Sequence, residues 1–286
     1  MNLTIQIKNQ SSINERLYKK SQHDALCESI DKIESPVFCF ESSSNLNRFK
    51  SHSLNDLKNA ELMDRVDTKY LIPIDLLEPL LATLLPYYTA LEMNGKRVFT
   101  YHNTYFDTQQ YDFYHAHHQG KLNRYKVRHR NYVDSARGFL EVKFKNNKGR
   151  TIKTRIESDE ACLEGEAEKN FLKNISQNFD GLTAAQWGAY ERIALANEAC
   201  GERLTLDINL RFSAIDGSNE ISLSRFFIAE LKQSKHNLTS PFAKEMSRLG
   251  IRSKKFSKYC IGCSLVVPQL KANSFKPVIS YFNKFH

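Results

Sequence analysis

Cations at every second residue are the feature of this sequence that most constrains its fold. In the strand predicted at residues 122–133, four successive residues of one side are cations, and the other side carries Tyr125 and Val127. The cations are Arg124, Lys126, Arg128 and Arg130. Successive side chains of a β-strand point to opposite faces of its sheet, so this period of two predicts one charged face and one apolar face. Any fold that contains this strand must gather like charges on one side of a sheet.

The same alternation recurs along the chain and predicts several strands of this kind. It covers residues 61–72, 138–145, 151–158, 202–212 and 226–233, and two further strands are predicted at 97–107 and 220–223. The six charged faces carry thirteen cations, which are Arg65, Lys69, Arg124, Lys126, Arg128, Arg130, Lys143, Lys145, Lys153, Arg155, Arg203, Arg211 and Lys232. They carry five carboxylates, which are Asp67, Glu141, Glu157, Asp207 and Glu230. The excess of eight positive charges is nearly the whole formal net charge of +9.

The charge pattern favours a fold that encloses an anion. A solvated charged face is the simpler interpretation of any single strand. Six such strands in one sheet would repel each other, and a barrel with these charges inside would be costly unless a polyanion filled it. Phosphate oxygens suit Arg and Lys, and carboxylates among the cations suit Mg²⁺ or Mn²⁺. We therefore expect an α+β fold in which a basic-lined barrel has helices packed against its apolar outside.

Helical periodicity and composition divide the rest of the chain. Helices are predicted at 73–84, 167–177, 183–199, 240–249 and 257–267, with Trp187 on the apolar face of the third. Residues 1–57 are rich in serine and poor in aromatic residues, and we expect a mostly flexible N-terminal extension. The main domain would span residues 58–268. Residues 269–286 form a basic and aromatic tail that we expect to dock on the domain or on a partner.

Composition excludes several classes of protein. With 41% hydrophobic residues the chain can bury a core, which excludes wholesale disorder. No apolar stretch approaches the ~20 residues of a membrane helix, and no secretory leader is visible. Six cysteines in a chain of this length are too few for a disulfide scaffold, so we expect reduced thiols and a cytoplasmic protein.

Ordered sequence blocks give the chain a family resemblance. The blocks are Arg65-x-Asp67-x-Lys69-Tyr70, Tyr105-Phe106-Asp107-Thr108, Arg128-x-Arg130-x-Tyr132, Glu141-x-Lys143, Lys153-x-Arg155, Arg203-Leu-Thr-Leu-Asp207, Glu230-x-Lys232 and Lys255-Phe-Ser-Lys-Tyr259. Together, over roughly residues 58–266, they resemble the VTC domain, which is the polyphosphate-polymerase domain of vacuolar transporter chaperones and of their bacterial relatives. That domain belongs to the triphosphate tunnel metalloenzyme (CYTH-like) superfamily.

The resemblance implies an eight-stranded antiparallel tunnel with a basic interior and a closing C-terminal helix. It implies a metal-dependent polymerase that transfers the γ-phosphate of ATP to a growing polyphosphate chain, with Mn²⁺ or Mg²⁺ as cofactor. The implied catalytic residues are Lys69, Arg128, Arg130, Lys143 and Arg203. The implied phosphate-binding residues are Arg65, Lys126, Lys153, Arg155, Lys232, Lys255, Ser257 and Lys258. The implied metal ligand is Glu230, with Glu141 and Asp207 nearby.

The chain departs from the wider superfamily at its first block. Classical members begin with Glu-x-Glu-x-Lys, whereas this chain has Arg65-x-Asp67-x-Lys69. The lost glutamate argues against a thiamine-triphosphatase or a cyclase and suits the VTC branch. Eukaryotic relatives also carry membrane segments that this sequence lacks. An inorganic or nucleoside triphosphatase and a non-catalytic polyphosphate sensor remain alternatives, and a nucleic-acid binder is a weaker one.

Three other motifs have simpler interpretations than a reactive site. His115, His117 and His118 lack a partner carboxylate or cysteine at ligand spacing, so we expect an exposed hairpin. Cys260 and Cys263 fall on a predicted helix without a second cysteine pair, which favours two buried thiols over zinc. Ser257 lacks a His–Asp pairing and is expected to donate a hydrogen bond to phosphate.

Overall fold

The computed structural model describes residues 45–56 and 66–282, apart from residues 236 and 238. The strands are β1 (Lys50–His52), β2 (Val66–Pro73), β3 (Thr89–Leu91), β4 (Val98–Asp107), β5 (Arg124–Tyr132), β6 (Arg137–Lys145), β7 (Thr151–Glu157), β8 (Thr183–Asn197), β9 (Glu202–Ser213), β10 (Glu220–Ser222) and β11 (Phe226–Gln233). The helices are α1 (Leu77–Leu84), α2 (Asp112–His118), α3 (Glu166–Ile175), α4 (Pro241–Arg248), α5 (Lys258–Val266) and α6 (Lys276–Phe282). The expected α+β class is confirmed.

Eight strands form one antiparallel path in the order β2-β11-β9-β8-β4-β5-β6-β7. The short strands lie beside this path, because β10 pairs with β9, β3 pairs with β8, and β1 pairs in parallel with β3. Within the described residues, β2 and β7 end the path and do not pair with each other. The predicted eight-stranded antiparallel tunnel is therefore present as an open barrel.

Apolar side chains cover the outside of the barrel. Leu77, Leu80, Leu81 and Leu84 of α1 recur at the helical spacing and pack, with α4, on the outer side chains of β2, β8, β9 and β11. Burial of each of these leucine side chains stabilises the folded state by about 2 kcal/mol. Leu172 of α3 packs in the same way on the outer side chains of β5 and β6. The charged side chains of these strands are thereby turned to the opposite side of the sheet, which we call the inner face.

Helices α5 and α6 pack against the inner face at one end of the barrel. Ile261 and Val266 of α5 and Val278 and Phe282 of α6 share a buried cluster with inner apolar residues of β2, β9 and β11. The ring of Phe282 lies 5.4 Å from that of Phe226, between centroids. The expected closing helix is thus α5, and part of the C-terminal tail docks on the domain as a helix.

The prediction of a helix at residues 183–199 is wrong, because this segment is strand β8. Alanine, leucine, glutamate and glutamine favour helices, but β8 lies between β4 and β9, where pairing and burial on both faces outweigh intrinsic propensity. Trp187 is buried as expected, but on a strand, with its ring edge-on to His102.

Residues 45–56, within the predicted flexible extension, pack on the domain. Leu46 and Phe49 are buried among the outer apolar residues that pack with α1, which we call the outer cluster, and β1 adds a short parallel pairing. Residues 1–44 and 57–65 of the chain, and 283–286 of the tail, lie outside the described residues. The predicted domain boundaries stay a prediction. No helix in the described part of the chain has the length and apolar character needed to cross a membrane.

Candidate active site

The strand register gathers the predicted site residues on the inner face. Lys126 lies opposite Lys143, which lies opposite Lys153. One step along the same strands, Arg128 lies opposite Glu141, which lies opposite Arg155. On the other side of the barrel, Glu230 is paired with Lys69, and Lys232 is paired with Asp67 and Arg203. Arg65 falls outside the described residues.

Glu141 is a fully buried carboxylate held between two cations. The Arg128 Nε atom donates to it at 2.7 Å, and Lys153 forms an ion pair with its other oxygen. Burial alone would raise the pKa of Glu141, but Arg128, Arg130 and Lys153 outweigh it and hold the pKa far below its usual range. Glu141 is therefore negatively charged at neutral pH, and Arg128 and Lys153 already balance its charge.

Asp207 is held in the same way, by a residue that the sequence analysis missed. Arg192 of β8 donates to the two Asp207 oxygens at 2.6 and 2.8 Å, and Lys258 of α5 forms an ion pair with it. Burial is again outweighed, by Arg192 and Lys258, and the pKa of Asp207 is lowered. The alternation of Tyr190 and Arg192 with apolar Ile193 could have revealed this cation, had residues 183–199 not been assigned to a helix.

Glu230 is the third carboxylate with two cation partners. Lys69 forms an ion pair with it, and the Lys232 Nζ atom lies 3.0 Å from its second oxygen. Lys232 and Lys69 outweigh burial and hold the pKa of Glu230 well below its usual range. Its side chain retains 16% exposure, against 0% for Glu141 and 2% for Asp207.

The structure does not bring Glu230, Glu141 and Asp207 together as ligands of one metal ion. No three His, Cys, Asp or Glu side chains among the described residues lie close enough to hold a metal. Each of the three carboxylates instead faces its own pair of cations. Of the three, Glu230 keeps the most accessible surface, which fits a Mg²⁺-type site in which one carboxylate acts with substrate phosphates.

Aromatic rings pack against several cations of the inner face. Tyr101 and Tyr190 stack with their centroids 5.2 Å apart, and the guanidinium of Arg192 lies 5.2 Å from each ring. The Arg130 Nη2 atom donates to the Tyr190 hydroxyl at 2.6 Å, and the Lys258 ammonium lies 4.2 Å from the ring centroid of Tyr190. Cation–π contacts stabilise the positions of these side chains without placing a further negative charge beside them.

The first turn of α5 brings further predicted residues to the inner face. The Lys126 ammonium donates to Ser257 Oγ at 2.9 Å, and the same oxygen accepts from the backbone N–H of Cys260 as the helix cap. Lys255 is exposed.

Lys143 of β6 lies among cations. The charge of Arg128 lowers the pKa of Lys143 most, burial and Arg130 lower it further, and the pKa lies well below its usual range.

Arg211 does not share the inner face with Arg203, contrary to the sequence analysis. The pairing of β8 with β9 shifts between Ala189 and Glu191, and Asn209 adopts a positive φ of 50°. A bulge of this kind reverses the alternation beyond it. Arg211 therefore lies beside Glu191 rather than among the cations of the inner face.

The three histidines and two cysteines considered in the sequence analysis lie on helices. His115, His117 and His118 are on α2 and not on the expected hairpin. The His117 Nε2 atom lies 3.5 Å from Lys126 Nζ, and burial, together with Lys126, lowers the pKa of His117 to about 3. Cys260 and Cys263 are buried free thiols on α5, as expected.

Comparisons with known proteins identify the family. A family model described as the VTC domain matches residues 64–267, whereas no curated protein matches the chain. Similar solved structures include a candidate adenylate cyclase from Bacillus halodurans (16% identity, TM-score 0.44, 68% of this chain and 94% of that chain). Another is a candidate adenylyl cyclase from Hippeastrum with a dominant triphosphatase activity (16% identity, TM-score 0.44, 72% and 97%). Because the family model spans most of the chain, the protein belongs to the VTC domain family, and this membership supports a triphosphate-handling enzyme.

Proposed function

We propose that the protein is a metal-dependent polyphosphate polymerase that transfers the γ-phosphate of ATP to a polyphosphate chain on its inner face. One observation carries the proposal. The buried carboxylates Glu141 and Asp207 are each already paired with two cations, so the rest of the inner positive charge needs an anion from outside. A linear polyphosphate supplies closely spaced negative charge along the whole length of such a face.

The inner face suits phosphoryl transfer because this reaction needs positioning and charge stabilisation more than covalent catalysis. Lys69, Arg128, Arg130, Lys143 and Arg203 would stabilise the negative charge on the transferred group. Arg192 belongs with them, because its guanidinium is fixed by Asp207 and Tyr190. The terminal phosphate of an acceptor chain is ionised at neutral pH, so no strong general base is required.

Further side chains around these cations would bind the phosphates of the substrate. They are Lys126, Lys153, Arg155 and Lys232 on the strands, with Ser257 and Lys258 on α5, and we retain Arg65 and Lys255 as candidates.

A divalent cation, Mn²⁺ or Mg²⁺, is implied by the tunnel metalloenzyme superfamily. Glu230 would hold it together with phosphate oxygens of the substrate. When bound, the ion would neutralise phosphate charge and orient the leaving group.

The polymerase is tested by incubating the pure protein with ATP and Mn²⁺ and running the products on a gel stained for polyphosphate. Chains that lengthen with time are the expected result. Release of inorganic phosphate without chains would instead establish a triphosphatase, and binding of tripolyphosphate without either product would establish a sensor.

Glu230→Gln should lower turnover by on the order of 100-fold while tripolyphosphate binding persists, because the variant removes the metal ligand and keeps the cations. Turnover is measured by polyphosphate formation, and binding by calorimetry without metal. The matched control is Glu157→Gln, which alters an exposed inner carboxylate paired with Arg137 and should leave turnover unchanged. Full turnover in Glu230→Gln would show that the metal assignment is wrong.

A further inference from the structure

The carboxylate of Asp107 lies where strand β4, helix α2 and helix α5 meet. It is fully buried and accepts hydrogen bonds from the backbone N–H groups of Thr108, Phe113 and Tyr114 at 2.8 to 2.9 Å. It also accepts from the hydroxyl of Tyr259 on α5. One side chain therefore joins β4 and the helix that directly follows it, α2, to the distant helix α5.

The start of α2 is shaped around this carboxylate. Tyr111 precedes the helix with a positive φ of 57°, a conformation that is costly for a bulky residue. The turn directs the N–H groups of Phe113 and Tyr114 to Asp107, which satisfies donors that a helix start leaves open. Asp107 is thus fixed by the backbone before it contacts α5.

Tyr259 connects this fixed point to the first turn of α5. Its side chain is buried, and its ring stacks on that of Tyr105 with a centroid distance of 5.2 Å. The two preceding residues face the inner cations and carboxylates, because Ser257 accepts from Lys126 and Lys258 pairs with Asp207. Both of these contacts are made by flexible lysine side chains. The Tyr259 contact instead joins a rigid aromatic side chain to the short side chain of Asp107.

We propose that Asp107 and Tyr259 form a positioning pair that fixes the first turn of α5 across the inner face, and so places Ser257 and Lys258 against bound phosphates. The proposal rests on the proposed function, because it requires Ser257 and Lys258 to contact the substrate. The hydroxyl of Tyr259 sets the rotation of the helix, because it is the polar anchor of α5 to β4. Both Asp107 and Tyr259 are buried, so neither would contact the substrate itself.

Tyr259→Phe tests the pair because it keeps the ring and its stacking and removes only the hydroxyl. We expect the dissociation constant for tripolyphosphate and the KM for ATP to rise by roughly three- to tenfold, with kcat changed about twofold or less. The matched control is Tyr88→Phe, which removes a buried hydroxyl that donates to Glu202 among residues of the outer cluster. The control should lower the melting temperature similarly and leave KM unchanged. A Tyr259→Phe enzyme that lost only thermal stability would overturn the proposal.

A double-mutant cycle separates positioning from a general loss of stability. In a Lys258→Met background, Tyr259→Phe should cause little further loss of tripolyphosphate affinity, because the group that it places is already absent. Independent, additive losses would contradict a role through Lys258.

Hydrogen exchange separates failure of the pair from failure of the proposed function. Tyr259→Phe should speed the exchange of α5 amides, and Tyr88→Phe should not. If the wild-type protein bound no tripolyphosphate, the proposed function would fall, and faster α5 exchange would still support the pair as the anchor of the helix. Unchanged α5 exchange in Tyr259→Phe would refute the pair whatever the protein binds.

Discussion

At the scale of single residues, buried carboxylates make the fold sensitive to acid. Glu141 is buried between Arg128 and Lys153, and its folded-state pKa lies below the usual value of 4.5. Its ionisation thus stabilises the fold fully above about pH 4.5, and this contribution is lost as the pH falls through the folded-state pKa. We expect Glu141→Gln to show a shallower loss of melting temperature than wild type between about pH 6 and about pH 3.

An exposed carboxylate provides the comparison for this pH dependence. Glu157 pairs with Arg137, and both side chains are more than half exposed, so solvent screens the interaction. Glu157→Gln should therefore follow the wild-type pH profile. A Glu141→Gln profile that also matched wild type would mean that acid sensitivity arises elsewhere.

At the scale of secondary-structure elements, the packing of α5 on the sheet depends on a glycine. A Cβ atom at Gly262 would lie 2.8 Å from Phe212 Cδ1 and 2.9 Å from Gln186 Cδ. Alanine would favour the helix by about 1 kcal/mol, but overpacking costs roughly 1–3 kcal/mol. We expect Gly262→Ala to destabilise the protein by up to about 2 kcal/mol in urea unfolding and to weaken tripolyphosphate binding, because α5 must move.

The matched change on the same helix is Ser264→Ala. Ser264 is partly exposed, and its hydroxyl donates only to the local carbonyl of Ile261. This variant should stay within about 0.5 kcal/mol of wild type. A stabilised Gly262→Ala protein would show that helix propensity governs this position and that α5 is not tightly seated.

The elements that the sequence predicted well are those in which pairing and periodicity agree. In β5, β6 and β7 charged residues alternate with apolar ones, so the inner face follows from alternation, and the gathering of Arg128 and Glu141 on that face could be foreseen. Strand β8 could not, because its alanine-rich composition favours a helix and only its neighbours in the sheet hold it extended. The helix prediction for this segment therefore also missed the inner cation Arg192. Arg211 was misplaced because alternation gives no sign of a bulge at Asn209.

At the scale of the whole molecule, the excess of positive charge is a cost that only an anion can offset. Like charges enclosed on one face repel each other and destabilise the folded state. Ion pairs neutralise Glu141, Asp207 and Glu230, but the register still places cation beside cation across β5, β6 and β7. On the proposed function, the fold loses stability in exchange for an anion site, as functional sites commonly do.

Lys143 is the residue at which this trade can be measured. It lies between Lys126 and Lys153, and the depressed pKa caused by Arg128, burial and Arg130 shows that its charged form is disfavoured in the folded state. Methionine has a similar length and no charge, so Lys143→Met should raise the ligand-free stability by on the order of 1 kcal/mol.

Added ligand should reverse the order of stability of the wild-type protein and this variant. Tripolyphosphate at about 100 times its dissociation constant should stabilise the wild-type protein by about 2.7 kcal/mol, or roughly 5 °C or more in melting temperature. In Lys143→Met this shift should be largely lost, so the two proteins exchange their order of stability when ligand is added. Lys244→Met, on the exposed side of α4, should change neither value. If Lys143→Met were less stable alone and kept the full shift, the inner charge would serve the fold itself rather than an anion.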